Sequence, residues 1–417
     1  MLATSRITAM GGAYTAIAEG ADGIPFNPAA VSLRTAASTT SDDFDLSGGI
    51  TFPTAITDND FDNNGDVKYA TKNFVWATLG GYYQHGPFGI GAIAAYQNYD
   101  LGPPTEPIPL PGSNEVVESF TINLLRLDIV AGYSALNDQI HAGGGIRTAT
   151  FGTFGATRDL ASGDTGQRLL FSSTSLGLEG GILWTPYDLP FRIGGAVRTP
   201  SFTGLDVGSR ITRNTDGDRV IGHVYLPDKI DLPWEVEVGT AVQLWERPLN
   251  VRWIDEDTIS KDEAERWRLT DENGVTEPHY KGARRMLKAR ARDLERQKVL
   301  ITSSMLISGP LKNGVGLESA LSQVVDNSGR RVVASLRAGV EVEPIPYWLV
   351  LRGGSYMEPT RFDQSRPRAH GTGGFMFRLF RWSAFGLFDE HTIFRISTMV
   401  DAARDYFSTG ISFGTFN

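Results

Sequence analysis

The segment Asp60-Phe61-Asp62-Asn63-Asn64-Gly65-Asp66 holds carboxylate and amide oxygens at alternate positions with glycine at the sixth, the spacing with which a loop wraps a hard cation such as calcium. The glutamate that would close such a loop at its twelfth position is replaced by Thr71. An acidic surface loop therefore accounts for the same residues, and both readings stand, with Asp60, Asp62, Asn64 and Asp66 as the candidate ligands and no organic cofactor implied. The histidines at 85, 141, 223, 279, 370 and 391 are scattered, without the paired spacing of a zinc site. Serine is plentiful, but no nucleophile elbow is expected, and with no catalytic constellation in view the chain is not read as an enzyme. A wider pattern concerns charge: Arg126, Asp128, Glu179, Glu235, Glu237, Arg337, Glu341, Glu343, Arg352 and Arg378 all fall opposite apolar residues. On the inner face of a closed wall they would meet as paired networks, since an unpaired buried charge is costly; a selective ion path is the other use of the same residues.

The elements that position these charges are strands. Val236, Val238, Thr240, Val242 and Leu244 alternate with Glu235, Glu237, Gly239 and Gln243, and Trp245 closes the run. Val332, Ala334, Leu336, Ala338, Val340 and Val342 alternate in the same way with Ser335, Arg337, Glu341 and Glu343. A strand turns successive side chains to opposite faces, so each run needs one apolar and one polar environment. Lipid outside and a hydrated lumen inside satisfy both, which makes the expected fold all-β: a transmembrane antiparallel β-barrel of about 14 strands. A soluble array of β-sandwiches would instead require the valine faces to be buried against a second sheet.

Composition agrees. The 417 residues carry a net charge of -9, which leaves no electrostatic footprint for nucleic acid. No cysteine is present, which excludes disulfides and thiolate metal sites. A mean hydropathy of -0.18 suits a barrel that shows only alternate residues to lipid, and no apolar run reaches the ~18 residues of a membrane helix. The 47 glycines suit tight turns and a crowded inner face. Met1 to Ile7 has no apolar signal core, so an exported chain would appear here with its signal removed.

Along the chain, residues 1–34 are small and Gly/Ala-rich and form an expected hatch, with a short helix over Met10 to Ala18 and a second after Phe26-Asn27-Pro28. Asn27 would cap that second helix and Pro28 open it, or the segment would move as a plug. Residues 35–417 form the barrel. Fourteen runs lie near 37–51, 72–84, 87–100, 116–134, 139–155, 167–185, 189–204, 234–245, 299–309, 315–325, 331–343, 347–358, 370–380 and 393–416. The last is long enough for two strands, with a turn near Ala402 to Asp405, and the run at 315–325 also reads as loop. Aromatics mark short turns after Tyr83, Tyr133, Trp184, Tyr347 and Trp382; long connections fall at 53–70, 101–115, 156–166, 205–231 and 359–369. Short turns are periplasmic in outer-membrane barrels. Strand parity places the insert 246–298, with 13 Lys/Arg and 12 Asp/Glu, at that same end as a helical subdomain. Its basic stripe, including Arg284, Arg285, Lys288 and Arg292, either solvates a cap or docks a periplasmic or envelope protein.

The stretch Gly11-Gly12-Ala13-Tyr14-Thr15-Ala16, followed by Ala21-Asp22 and Phe26-Asn27-Pro28-Ala29, resembles the N-terminal signature of the FadL-like outer-membrane proteins. Arg337-Ala338-Gly339-Val340-Glu341 and Leu351-Arg352-Gly353-Gly354 are similar to late strands of that superfamily, which includes fatty acid and aromatic hydrocarbon transporters and PorV-type secretion proteins. The resemblance implies a fourteen-stranded barrel in the bacterial outer membrane, plugged by its N-terminal residues, that binds or imports hydrophobic small molecules past Tyr14, Phe26, Asn27 and Pro28. The alternative is a non-transporting barrel that serves as anchor or subunit of an envelope assembly through its insert. The insert and the final Asn417 after Phe416 depart from the family pattern.

Overall fold

The computed structural model describes residues 3–34, 41–53, 60, 63, 71–101, 108–110, 113–187, 189–208, 212–213, 219–221, 224–225, 231–245, 249–250, 252–254, 256–293, 298–311, 314–315, 327–346, 348–362, 366–381 and 393–416. Fourteen antiparallel strands close on themselves: β1 (Asp42–Phe52), β2 (Thr71–His85), β3 (Phe88–Leu101), β4 (Glu115–Ala135), β5 (Ile140–Asp159), β6 (Thr165–Trp184), β7 (Phe191–Arg198), β8 (Glu235–Leu244), β9 (Val299–Ser308), β10 (Val333–Ile345), β11 (Leu349–Glu358), β12 (Arg368–Arg381), β13 (Ile393–Ala403) and β14 (Tyr406–Phe416). Each strand pairs with its sequence neighbours, and the seam joins β1 to β14 from Ser47 opposite Gly414 to Phe52 opposite Thr409. Closure leaves no strand edge, the condition for β-structure to sit in hydrocarbon, where each unpaired backbone group costs several kcal/mol. No helix among the described residues is long and apolar enough to cross a membrane.

The alternation read from β8 has the expected sense. Val236, Val238, Val242 and Leu244 are exposed on the outer surface, whereas Glu237, Ala241 and Gln243 are buried within. The valines therefore do not pack in a protein core, and the sandwich array is excluded. Tyr83, Phe88, Tyr133, Trp184, Trp245 and Trp348 are exposed at the short-turn end, where an interfacial girdle belongs.

Several boundaries differ from expectation. The run at 315–325 contributes no described barrel strand: Gly314–Val315 pairs with Asn327–Ser328 in a separate ribbon, and 316–326 lie outside the described residues. The run at 393–416 is two strands, β13 and β14, turned at Arg404-Asp405 with Asp405 at φ 54. These two differences cancel, and the count stays at fourteen. The expected long connection at 156–166 is a tight turn, because β5 and β6 continue through most of it and Asp159 accepts from the amides of Ala161 and Ser162. Beyond β7, Phe202–Gly208 pairs with the upper part of β6, so β4 to β6 form a taller wall.

Residues 3–34 lie inside this wall. The helix there is α1 (Ser5–Ala9), not 10–18: Gly11 and Gly12 adopt φ of 62 and 73, which ends it. A Cβ on Gly11 would stand 2.7 Å from the Ser355 carbonyl oxygen and 2.8 Å from that of Ala338, so the chain turns flush against β10 and β11. Pro28–Ser32 forms a 3-10 turn whose cap is Asn27, with Ala29 N donating to Oδ1 at 3.1 Å.

The insert joins β8 to β9 at the short-turn end. It contains α2 (Lys261–Glu265) and α3 (His279–Asp293), packed through Ile259, Ala264, Ala283, Met286 and Leu287.

Candidate functional site

The site is the filled lumen. Polar groups of the wall grip the backbone of residues 3–34 from every side. Asn27 Nδ2 donates to the carbonyls of Thr15 and of Ile182 in β6, each at 3.0 Å. Thr302 in β9 donates to Ala13 O at 2.9 Å, and Thr372 in β12 to Ala9 O at 3.0 Å. His141 in β5 lies 2.9 Å from Ser32 O, and Gln84 in β2 donates to the same carbonyl at 3.1 Å. Arg198 in β7 donates to the carbonyls of Pro25 and Phe26. The wall comes close because it is bare: a Cβ on Gly181 would lie 2.1 Å from Asn27 Oδ1, and one on Gly194 2.3 Å from Thr15 O.

The four residues expected at the hatch are all buried there. Tyr14 donates to Glu19 O at 2.9 Å, accepts from Arg6 at 2.9 Å, and meets Phe26 edge to face. Phe26 lines a cavity of ≈ 20 Å³ with Ala3, Thr4, Ile93, Arg126 and Asp128. That space is water-sized and carries charge, so it differs from the apolar pocket a hydrophobic ligand would fill.

Of the ten expected lumen charges, Arg126, Asp128, Glu179, Glu235, Glu237, Arg337, Glu341 and Arg352 face inward in two groups, and Glu343 is buried beside them on β10. In the first, Arg126 meets Asp128 at 3.3 Å, Glu237 accepts from Arg337 at 3.1 Å and from Ser304 at 2.9 Å, and Glu235 lies 3.3 Å from Arg147 and 3.5 Å from Arg198. Glu179, 3.8 Å from Arg198, has no direct hydrogen bond to either buried carboxylate oxygen. In the second, Glu341 is shared by Arg352 at 2.7 Å, Arg6 at 3.0 Å and Lys298 at 2.9 Å. Arg147, Arg192 and Arg198 are lumen charges that the sequence reading did not single out: Arg192 lies between Phe191 and Ile193, with the same alternation as β8, whereas Arg147 and Arg198 follow Ile146 and Val197 but precede threonines. The partners on residues 3–34, Arg6 and Glu19, carried no sequence signal because α1 and the turns after it have no alternation.

A third cluster stands toward the long-loop end. His370 lies 2.8 Å from Asp401 and 3.0 Å from Glu358, Tyr356 donates to Asp401 at 2.8 Å, and Arg368 donates to Glu358 at 2.6 Å and to Asp60 O at 2.8 Å. Asp60 is buried with its carboxylate 3.8 Å from Arg368; Asp62, Asn64 and Asp66 lie outside the described residues. Among the described residues no metal-binding group of His, Cys, Asp or Glu occurs. The letters Gly-x-Ser-x-Gly do occur at Gly410 to Gly414, contrary to expectation, but Ser412 sits mid-strand opposite Gly49 and Ser397 rather than on a strand-to-helix elbow.

No protein-family model and no curated protein sequence matches the chain. Solved structures do. The monoaromatic hydrocarbon channel CymD is similar with a TM-score of 0.51 at 12% identity, over 99% of this chain and 96% of that one. The toluene transporter TodX of Pseudomonas putida is similar with a TM-score of 0.52 at 11% identity, over 100% of this chain and 98% of that one. The chain has the FadL-like barrel fold.

Within this FadL-like fold the insert pairs part of its basic stripe internally. Arg284 and Arg285 each have a carboxylate partner within the insert. Arg284 is paired bidentately with Glu256 at 2.5 and 2.9 Å, and Arg285 binds Glu277 at 2.8 Å and the Trp267 carbonyl. The bond from Arg285, with another from the Leu269 amide, holds the Glu277 carboxyl below the usual carboxylate range. The side chains of Lys288 and Arg292 lie outside the described residues.

Proposed function

We propose that this barrel carries hydrophobic small molecules, of the fatty acid or hydrocarbon class, across a bacterial outer membrane, and that passage requires residues 3–34 to shift. The observation that supports this is the construction of the lumen: a plug held by separate hydrogen bonds to side chains of β1, β2, β5, β7, β9, β10 and β12, inside a wall whose outer face is apolar. A neutral bond of this kind contributes about 1 kcal/mol net and a charge-assisted one, such as Arg6 to Glu341, about 1.5–3 kcal/mol, so a plug fixed by separate bonds can move in steps, unlike a covalent or strand-paired closure. CymD and TodX, described as a hydrocarbon channel and a toluene transporter, lend the substrate class. The test is uptake of toluene and of oleate by cells whose only barrel of this kind is the full-length chain. Accumulation above that of cells without it supports the reading; equal accumulation for the whole panel sinks it.

A second reading is favoured by the charged, water-sized cavity beside Phe26: a barrel that passes nothing and anchors an envelope protein. Purification from native membranes distinguishes the two. A co-purifying fatty acid or hydrocarbon supports the first, and a stoichiometric protein lost on removal of 254–297 supports the second.

A further inference from the structure

The two roots of the insert enter the inner mouth and hold the plug. On the first root, Leu249 packs in one cluster with Ile7, Met10, Tyr14, Ile17 and Phe26, so a side chain of the insert completes the apolar core of the plug. Asn250, also buried, holds Nδ2 at 2.7, 3.1 and 2.9 Å from the carbonyls of Pro186, Leu189 and Phe191, its two N–H groups shared among the three, and accepts from Arg192 Nε at 2.8 Å. Arg192 then donates to Leu249 O at 2.9 Å, to Ile17 O at 3.1 Å and to Glu19 Oε1 at 2.9 Å. One buried guanidinium thus ties insert to plug. Three residues further on, the Trp253 ring lies 4.2 Å from the Arg34 guanidinium at the far end of the plug, and the next residue, Ile254, packs onto the core of the α2–α3 unit. On the second root, Lys298 Nζ stands 2.9 Å from Glu341 Oε1, and the same carboxylate receives Arg6 of the plug at 3.0 and 3.2 Å.

We propose that the insert is an autoinhibitory latch, which holds residues 3–34 across the inner mouth until the α2–α3 unit is displaced. Two short links join root and plug: Ile254 and Trp253 lead from the α2–α3 unit to Arg34, and Asn250 leads through Arg192 to Ile17. Arg192 has its donors matched to acceptors on both partners, so withdrawing the root strips a buried cation of Asn250 Oδ1 and Leu249 O together, and the plug loses Leu249 from its core in the same movement. Lys298 acts likewise, since its departure changes the charge around the carboxylate that anchors Arg6. The proposal rests on the reading that the plug moves, but not on what passes it.

The chain contains no cysteine, so a single Ala16→Cys, at a fully buried plug position, reports plug exposure through its rate of maleimide labelling in proteoliposomes. In the full-length chain, Asn250→Ala and, separately, Lys298→Gln are expected to raise that rate about tenfold, the equivalent of one lost buried hydrogen bond. Arg290→Ala, in an exposed pair of the insert, is expected to leave it unchanged. Heat-modifiable migration on gels checks that each barrel is closed, and Lys298→Gln serves alone should Asn250→Ala not fold. Unchanged labelling in the root variants, or an equal rise in Arg290→Ala, overturns the latch. Uptake measured in the same vesicles keeps the two ideas apart: faster labelling without uptake counts against transport only, and uptake with unchanged labelling counts against the latch only.

Discussion

Arg198 in the lumen stands 3.5, 3.8 and 3.9 Å from three carboxylates, Glu235, Glu179 and Glu237, almost wholly out of solvent, whereas Arg290 in the insert stands 3.7 Å from Glu263 with both side chains more than half exposed. Both regions are built from arginine and carboxylate, and the separations are alike. What differs is where water is. In the lumen, removal of one partner strands the others in a medium that cannot solvate them, while in the insert water takes the place of the lost partner. The lumen charges therefore fix the geometry of wall and plug, and those of the insert set solubility and local helix order.

The largest effect should come from Glu341→Ala, which leaves Arg6, Arg352 and Lys298 around an empty centre; a loss of about 3–5 kcal/mol in the stability of the plugged barrel is expected, read from urea unfolding in lipid vesicles. An unchanged midpoint would break the contrast at its strongest point. Next is Val238→Arg, on the outer face in the middle of β8, with an expected cost of about 2–4 kcal/mol in the same assay, because the side chain meets hydrocarbon one position away from Glu237, where charge is accommodated. A neutral result there would mean that the outward valines do not face lipid. Arg290→Ala in the insert should cost roughly 1 kcal/mol or less, and a larger loss would show its pair to be shielded as the lumen pairs are. The smallest change concerns pH. The Glu277 carboxyl is held below the usual carboxylate range, first by Arg285 and then by the Leu269 amide, so its contribution is complete above the unfolded value and is lost as pH falls through the lowered folded value. Protection of the Leu269 amide, its exchange rate relative to an unstructured peptide at the same pH, should fall under acid in that window while protection in the barrel strands stays high.

The wall was legible because it divides two environments. Strand parity alone put Glu237 and Arg337 inside and Val238 and Leu336 outside, and it would have put Arg147, Arg192 and Arg198 inside had every strand been read as closely as β8. The ends of strands were less clear: the break at 156–166 and the turn near Ala402 to Asp405 both showed in the sequence, but not that the strands run on to Asp159 and resume at Thr165. The plug was the least legible part. A helix over 10–18 is what those small residues favour locally, but Gly11 must lie flush on β10 and β11, and that demand comes from residues more than 300 positions away. The pairing inside the insert was hidden for a related reason: a sequence shows that Arg284 and Arg285 are basic, but not that Glu256 and Glu277 fold back to meet them.

The seam between β1 and β14 has a consequence for the order of assembly. The plug precedes every strand in the chain, yet its socket includes Gln84 near the beginning and Thr372 near the end. That socket is complete only once Ser47 to Phe52 have met Thr409 to Gly414, so a segment made ahead of all fourteen strands is among the last to find its resting place, and the growing sheet must curl around a guest that it cannot yet hold.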